Sequence, residues 1–192
     1  MTTKPMSAEE SIGIIQSIIE TEKMRFSENG FIYRMWGWLV IFAASLQYLL
    51  FYMNVQHHYY AWFLMILGGV YTGIYYSKSK NRQTYPLSGK IMAYTWIAAS
   101  LNIFIVSFFF PQMAGQWLLF IILAFIGVAT VVSGALLRFP LMIIGGFICN
   151  ALAFASLFTS PAYWGLYSIM AVTVSDLIPG YVLKAKFSEK NV

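Results

Sequence analysis

Six apolar stretches, each 18 to 23 residues long, constrain this chain more than any other feature. They run Phe31–Met53, Tyr59–Tyr76, Ile91–Phe110, Trp117–Leu137, Phe139–Phe158 and Tyr163–Leu183. A helix rises about 1.5 Å per residue, so roughly 20 residues cross a hydrocarbon core of about 30 Å. In lipid the backbone N–H and C=O groups must be satisfied internally, which selects helices or a closed barrel. Barrel strands alternate apolar and polar residues over about ten positions, and these stretches do not alternate. The expected fold is an all-α membrane protein, with six transmembrane helices arranged as three hairpins. Composition agrees: 59% of residues are hydrophobic and 10% charged, and the mean hydropathy is +0.68. Soluble domains average about 25% charged residues, so a disordered tail, a disulfide scaffold and almost any soluble globular domain are excluded.

The charges set an orientation. Lys4, Lys23, Arg25 and Arg34 precede or open the first stretch. Lys78, Lys80, Arg82 and Lys90 lie between the second and third, Arg138 between the fourth and fifth, and Lys184, Lys186 and Lys190 after the sixth. These are all twelve Lys and Arg, and they fall on one side. The opposite connections, Asn54–His58, Pro111–Gln116 and Ser160–Ala162, carry none. Excess Lys and Arg in short loops marks the cytoplasmic face, so a bacterial inner membrane with both termini in the cytoplasm is expected. The net charge of +5 is thereby a topology signal and not a sign of nucleic-acid binding. Trp62, Trp117 and Trp164 open the even-numbered stretches at their outer ends, and Trp36 and Trp38 sit near the inner end of the first. Indoles prefer the headgroup boundary.

Residues 1–29 read as a separate cytoplasmic segment ahead of the bundle at 30–192. Ser7-Ala8-Glu9-Glu10 has capping-box spacing, and Ile12, Ile15 and Ile19 follow at helical spacing until Asn29-Gly30 stops the pattern. The polar face carries Glu9, Glu10, Glu20 and Glu22, which anionic headgroups repel. The apolar face is therefore expected to pack on protein: the bundle itself, a second copy or a cytoplasmic partner, through residues 7–28. No short basic start with a short apolar core is present, so no cleaved signal is expected.

A soft repeat runs through the odd-numbered stretches. Arg34, Lys90 and Arg138 are followed by the amides Gln47, Asn102 and Asn150 at spacings of 13, 12 and 12. The even stretches end in Thr72-Gly73, Ser133-Gly134 and Pro179-Gly180 before a basic residue. At about 1.5 Å per residue the three amides lie roughly 18–20 Å from their basic anchors, a little past mid-bilayer.

Asp176 is the one acid inside an apolar stretch. A charge there costs at least about 2.5 kcal/mol on insertion scales, which makes it the first candidate for function. Pro179 cannot donate to the carbonyl of Ser175, and broken helices of this kind supply ligands in transporters. The ligand-binding or ion-coupling candidates are thus Asp176, Ser175, Gln47, Asn102 and Asn150, with Pro179 and Gly180 as the helix break. The competing roles are structural. Asp176 can be a buried partner of Arg34 or Arg138, or a protonated acid bonded to an amide, and the amides can simply join helices. Gly69–Gly73 and Gly145-Gly146 read as close helix-packing positions. His57-His58 reads as a solvated interface pair, and Cys149 as a small core residue with no disulfide partner. No His-Glu-x-x-His, Gly-x-Ser-x-Gly, P-loop or Cys-x-x-Cys is present, and no membrane stretch holds a haem-ligating His, so no enzyme activity, metal or cofactor is expected.

The segment Ser7–Glu22, Trp36-Gly37-Trp38 and the closing Leu177-Ile178-Pro179-Gly180-Tyr181-Val182-Leu183-Lys184 together resemble a family of small six-helix integral membrane proteins of Bacteroidetes-type bacteria. The resemblance implies the same architecture along nearly the whole chain and brings no catalytic or ligand residues. A looser architectural likeness is to three-hairpin acid-stress membrane proteins, on the hairpin repeat alone. Two functions follow as expectations. The first is a binding or regulatory membrane subunit that recruits a partner through the N-terminal helix or holds a lipid or small hydrophobic ligand between helices. The second is a small-solute or proton-coupled transporter using Asp176.

Overall fold

The computed structural model describes residues 11–16, 19, 30–78 and 87–188. Each apolar stretch is helical. Helix α1 spans Gly30–Tyr52, α2 Leu64–Lys78 and α3 Leu87–Phe109. A short α4 at Pro111–Ala114 precedes α5 at Leu118–Leu136, and α6 spans Pro140–Ser156. The last stretch is interrupted: α7 at Trp164–Val172 and α8 at Ile178–Ser188 flank a π-helical turn at Thr173–Leu177. No strand occurs among the described residues.

Among the described residues, four helical segments are long and apolar enough to cross a membrane: Gly30–Tyr52, Gly89–Phe109, Pro111–Leu136 and Pro161–Ala185. Pro140–Ser156 is apolar but only 17 residues long by its element bounds. The second stretch differs from an unbroken helix, since a 3-10 turn at His58–Phe63 leads into α2. The same opening recurs at Gly115–Trp117 before α5 and at Pro161–Tyr163 before α7. All three even-numbered stretches therefore begin in a tight turn, with Trp62, Trp117 and Trp164 in it or directly after it.

Many large apolar side chains are exposed, and small or polar residues are frequent among the buried ones. Phe42, Leu67, Ile97 and Phe147 are exposed, whereas Ala43, Ala44, Thr130, Ser133, Cys149, Ala153 and Ser175 are buried. Soluble monomers rarely leave so much contiguous apolar surface uncovered. Helices in lipid gain nothing by hiding leucine from a solvent as apolar as itself, so close approach of small residues supplies their packing.

The closest pairing joins the second expected hairpin to the third. Helix α5 lies against α6 through Gly127, Gly134 and Gly146. A Cβ on Gly146 would sit 2.6 Å from Val131 Cγ2 and 2.8 Å from the Gly127 carbonyl oxygen. A Cβ on Gly134 would sit 2.7 Å from the backbone nitrogen of Ile143. The connection between them is as short as the packing demands. Arg138 takes a left-handed conformation at φ 50°, and Phe139 N–H returns to the Gly134 carbonyl at 2.9 Å. On the other side of α6, α7 and α8 pack between it and α1, while α3 lies on α5 and α2 on α1.

Gly145-Gly146 is thus a packing site, as the sequence suggests. Gly69 and Gly73 are not: a Cβ on either would meet nothing within 4 Å, and Gly68 makes the close contact instead, against Leu39 and Trp36. The N-terminal helix is seen at 11–16 and 19, where Ile12, Ile14, Ile15 and Ile19 are exposed. The capping box Ser7–Glu10 and the stop at Asn29 lie outside the described residues.

Gly146→Ala is expected to destabilise the protein by about 1–3 kcal/mol through overpacking against backbone. Gly73→Ala is expected to change stability by no more than about 0.5 kcal/mol. Thermal unfolding of the two variants in detergent, followed by circular dichroism, compares them directly; equal midpoints would contradict the packing described.

Candidate functional site

The π-turn holds the acid. Pro179 has no N–H, so the carbonyls four and five residues before it, Ser175 and Val174, lose a helical donor. The Ile178 N–H, the other donor within reach of Val174 in a regular helix, goes instead to Thr173 O. The Val174 carbonyl is therefore released from both of these helical partners. It points at α6, where a Cβ on Gly145 would stand 2.5 Å from its oxygen. Only a glycine Cα–H fits there, and Cα–H groups make weak hydrogen bonds to carbonyls at helix contacts. The turn is locked from α1 as well: a Cβ on Gly37 would lie 2.5 Å from Leu177 Cγ. Two glycines on two helices thus make room for one widened turn.

Asp176 lies in that turn and is 3% exposed, with Ser175 beside it at 0%. The Ser175 hydroxyl donates to Asp176 Oδ2 in a short hydrogen bond. Tyr33 on α1 and Cys149 on α6 are within electrostatic reach of the carboxyl. Among the described residues no Lys or Arg is paired with it. Arg34 Nε instead donates to the Gly30 carbonyl at 3.1 Å, and its guanidinium lies 5.3 Å from the centre of the Tyr181 ring. Arg138 is exposed at its turn. The expected pairing of Asp176 with either arginine is absent among the described residues. Chemically, an acid held by one hydroxyl without a counter-charge can take up or release one proton. No group of three His, Cys, Asp or Glu side chains that could hold a metal comes together among the described residues.

The three amides do not gather around this acid. Gln47 is bound at the far end of α1, where its Oε1 accepts from Trp62 Nε1 at 2.6 Å and its Nε2 lies 3.5 Å from His58 Nδ1. Asn102 is exposed and donates to the carbonyl of Ala98 in its own helix at 2.8 Å. Asn150 donates to Gly146 O at 2.9 Å and leans on α5, filling the space a side chain at Gly127 would need. Gln47, Asn102 and Asn150, named as candidates together with Asp176, are instead engaged in separate local bonds. Pro179 and Gly180 lie in the first turn of α8, just after the π-turn, and both are buried. Gly180 lies where α8 meets α1: a Cβ there would be 3.0 Å from Arg34 Cγ.

Sequence reading missed a repeated polar clasp. Trp36 Nε1 donates to Thr72 Oγ1 at 3.1 Å, and Trp96 Nε1 donates to Ser133 Oγ at 2.9 Å. Each joins an odd-numbered stretch to the next, with sequence separations of 36 and 37. In both, the hydroxyl donates onward to the carbonyl four residues back, Gly68 or Ala129. The signal was present: Thr72-Gly73 and Ser133-Gly134 end their stretches alike, each with a tryptophan at that distance before it. No family model, curated protein or solved structure matches the chain.

Ser175→Ala removes the side-chain partner of a buried carboxyl and is expected to cost about 1–3 kcal/mol. Asn102→Leu, on an exposed face, is expected to stay within about 0.5 kcal/mol of the parent. Unfolding midpoints in the same detergent decide; if Asn102→Leu loses more than Ser175→Ala, the placement of these residues is wrong.

Proposed function

We propose that the chain is a multi-pass protein of a bacterial inner membrane, with all six apolar stretches spanning and both termini in the cytoplasm. It serves there as a binding or regulatory subunit, recruiting a cytoplasmic protein or a second copy of itself through residues 7–28. The observation that carries this reading is the row Ile12, Ile15 and Ile19, exposed at helical spacing. A row at helical spacing in a segment rich in glutamate suits a groove on another protein better than an anionic bilayer. The twelve basic residues on one side support the orientation. The same likeness to small six-helix membrane proteins accords with this placement, and nothing in the residues calls for catalysis.

The test is capture of a partner by the intact chain. Ile12→Ser, Ile15→Ser and Ile19→Ser together are expected to abolish co-purification of a cross-linked partner or second copy while the unfolding midpoint stays put. Undiminished cross-linking by the triple variant would remove recruitment through this helix.

One observation favours a second reading, a proton-coupled carrier. A buried acid in a π-turn, beside a carbonyl released by proline, is the kind of irregular backbone that transporters use at mid-membrane. On that reading Asp176→Asn abolishes proton-driven solute flux in proteoliposomes and leaves folding intact. Against it, the amides are engaged elsewhere and the acid has neighbours packed on both sides.

A further inference from the structure

Helix α1 presents one face, Phe31, Met35, Leu39 and Phe42 at helical spacing, to an open groove of about 460 Å³ that α8 borders with Tyr181. Arg34 stands on the same face. Two neutral contacts hold its guanidinium in place: the Gly30 carbonyl accepts from Nε, and the Tyr181 ring lies beneath it. Neither cancels its charge, and among the described residues no carboxylate is paired with it. Trp38 Nε1 donates to the Tyr181 hydroxyl at 3.1 Å, bridging the two helices across the groove. The bridge leaves both aromatic side chains at the surface, where an amphipathic ring suits the boundary between headgroups and acyl chains.

Length adds a second constraint. From Phe31 to Phe42 the helix rises about 16 Å, close to half of a hydrocarbon core of about 30 Å. The apolar face thus extends from the basic end of α1 to mid-bilayer, the depth of one leaflet, and the charge stands only at its shallow end. Basic pockets between helices at the cytoplasmic side suit anionic headgroups. We propose that this groove holds one anionic phospholipid of the cytoplasmic leaflet, its phosphate on Arg34 and one acyl chain along Met35, Leu39 and Phe42. The proposal rests on the membrane orientation given above and is independent of recruitment through residues 7–28.

The test is native mass spectrometry of the full chain in detergent with equimolar dioleoyl phosphatidylglycerol and dioleoyl phosphatidylcholine. One phosphatidylglycerol should be retained in preference to phosphatidylcholine by about five-fold, the ratio that about 1 kcal/mol per basic residue near the surface gives. Arg34→Gln should abolish the preference, whereas Arg138→Gln, an exposed charge at another turn, should keep it. Met35→Trp, which narrows the groove and spares the charge, should reduce retention of both lipids. No preference in the parent chain overturns the proposal, whatever the variants do. Equal losses in Arg34→Gln and Arg138→Gln also overturn it, because diffuse surface charge then explains the binding. So does lipid that binds only after Ile12, Ile15 and Ile19 are changed to Ser, since the chain's own N-terminal helix would then be the occupant. Loss of partner capture with lipid retention unchanged separates failure of the recruitment reading from failure of this one.

Discussion

The close approach of α5 and α6 at Gly127, Gly134 and Gly146 is the contact on which the rest of the bundle is built. Between helices in an apolar solvent there is little hydrophobic gain, and dispersion falls off steeply with separation, so backbones must come close or not associate. Glycine permits that approach. A two-helix unit so made offers one side to α3 and the other to α7 and α8, and α1 with α2 follows on the far side of α8. The polar groups buried by this arrangement are mostly satisfied locally. Ser133, Ser156 and Ser168 each return a hydroxyl to a carbonyl three or four residues back. These bonds need no partner helix, so they fix burial without fixing neighbours.

The π-turn shows the complementary device. Where Pro179 removes a donor, the helix widens and its released Val174 carbonyl meets Gly145. Leu177, pushed out by the same widening, meets Gly37 on α1. The turn that carries Asp176 is therefore held between two helices by shape alone, with the acid's own bond going to its neighbour Ser175. A structural and a functional role for Asp176 are both compatible with this holding, because rigidity around a single proton-binding group serves either. The rigid environment does make Asp176→Asn a clean replacement, since Ser175 can still donate to an amide oxygen of the same shape.

The helices were legible because apolar length in a chain is a first-order constraint: lipid leaves backbone no other course. Their partners were not, since nearly every residue of such a helix is apolar and periodicity carries little information about which face turns inward. Glycine spacing alone misled at Gly69 and Gly73, which face open space, and informed at Gly145-Gly146, where a second glycine-bearing helix was at hand. The amides failed for a related reason. An amide in an apolar helix can be satisfied by its own backbone, as Asn102 and Asn150 are, or by an indole from the next turn of chain, as Gln47 is by Trp62. Depth along the helix could be counted from the sequence, but rotation about its axis could not. Pro179 announced a break, but not that the break would take the form of an extra residue in the turn before it.

The distribution of tryptophan shows what the interior and the surface each require. Trp36 and Trp96 spend their N–H groups inward, on hydroxyls of the neighbouring helix, and so act as clasps within the bundle. Trp38, two residues from Trp36, turns the other way and donates to Tyr181 on the rim of the groove. A position change of two residues rotates a helical side chain by about 200°, so adjacent indoles in Trp36-Gly37-Trp38 must serve opposite faces. The glycine between them faces a third direction, where Leu177 enters. One short motif thus binds α2, admits the π-turn and closes the wall beside Arg34. That convergence explains why the inner end of α1 has Gly37 between two large aromatic residues, and why the groove and the buried acid are neighbours in structure while remaining separate in chemistry.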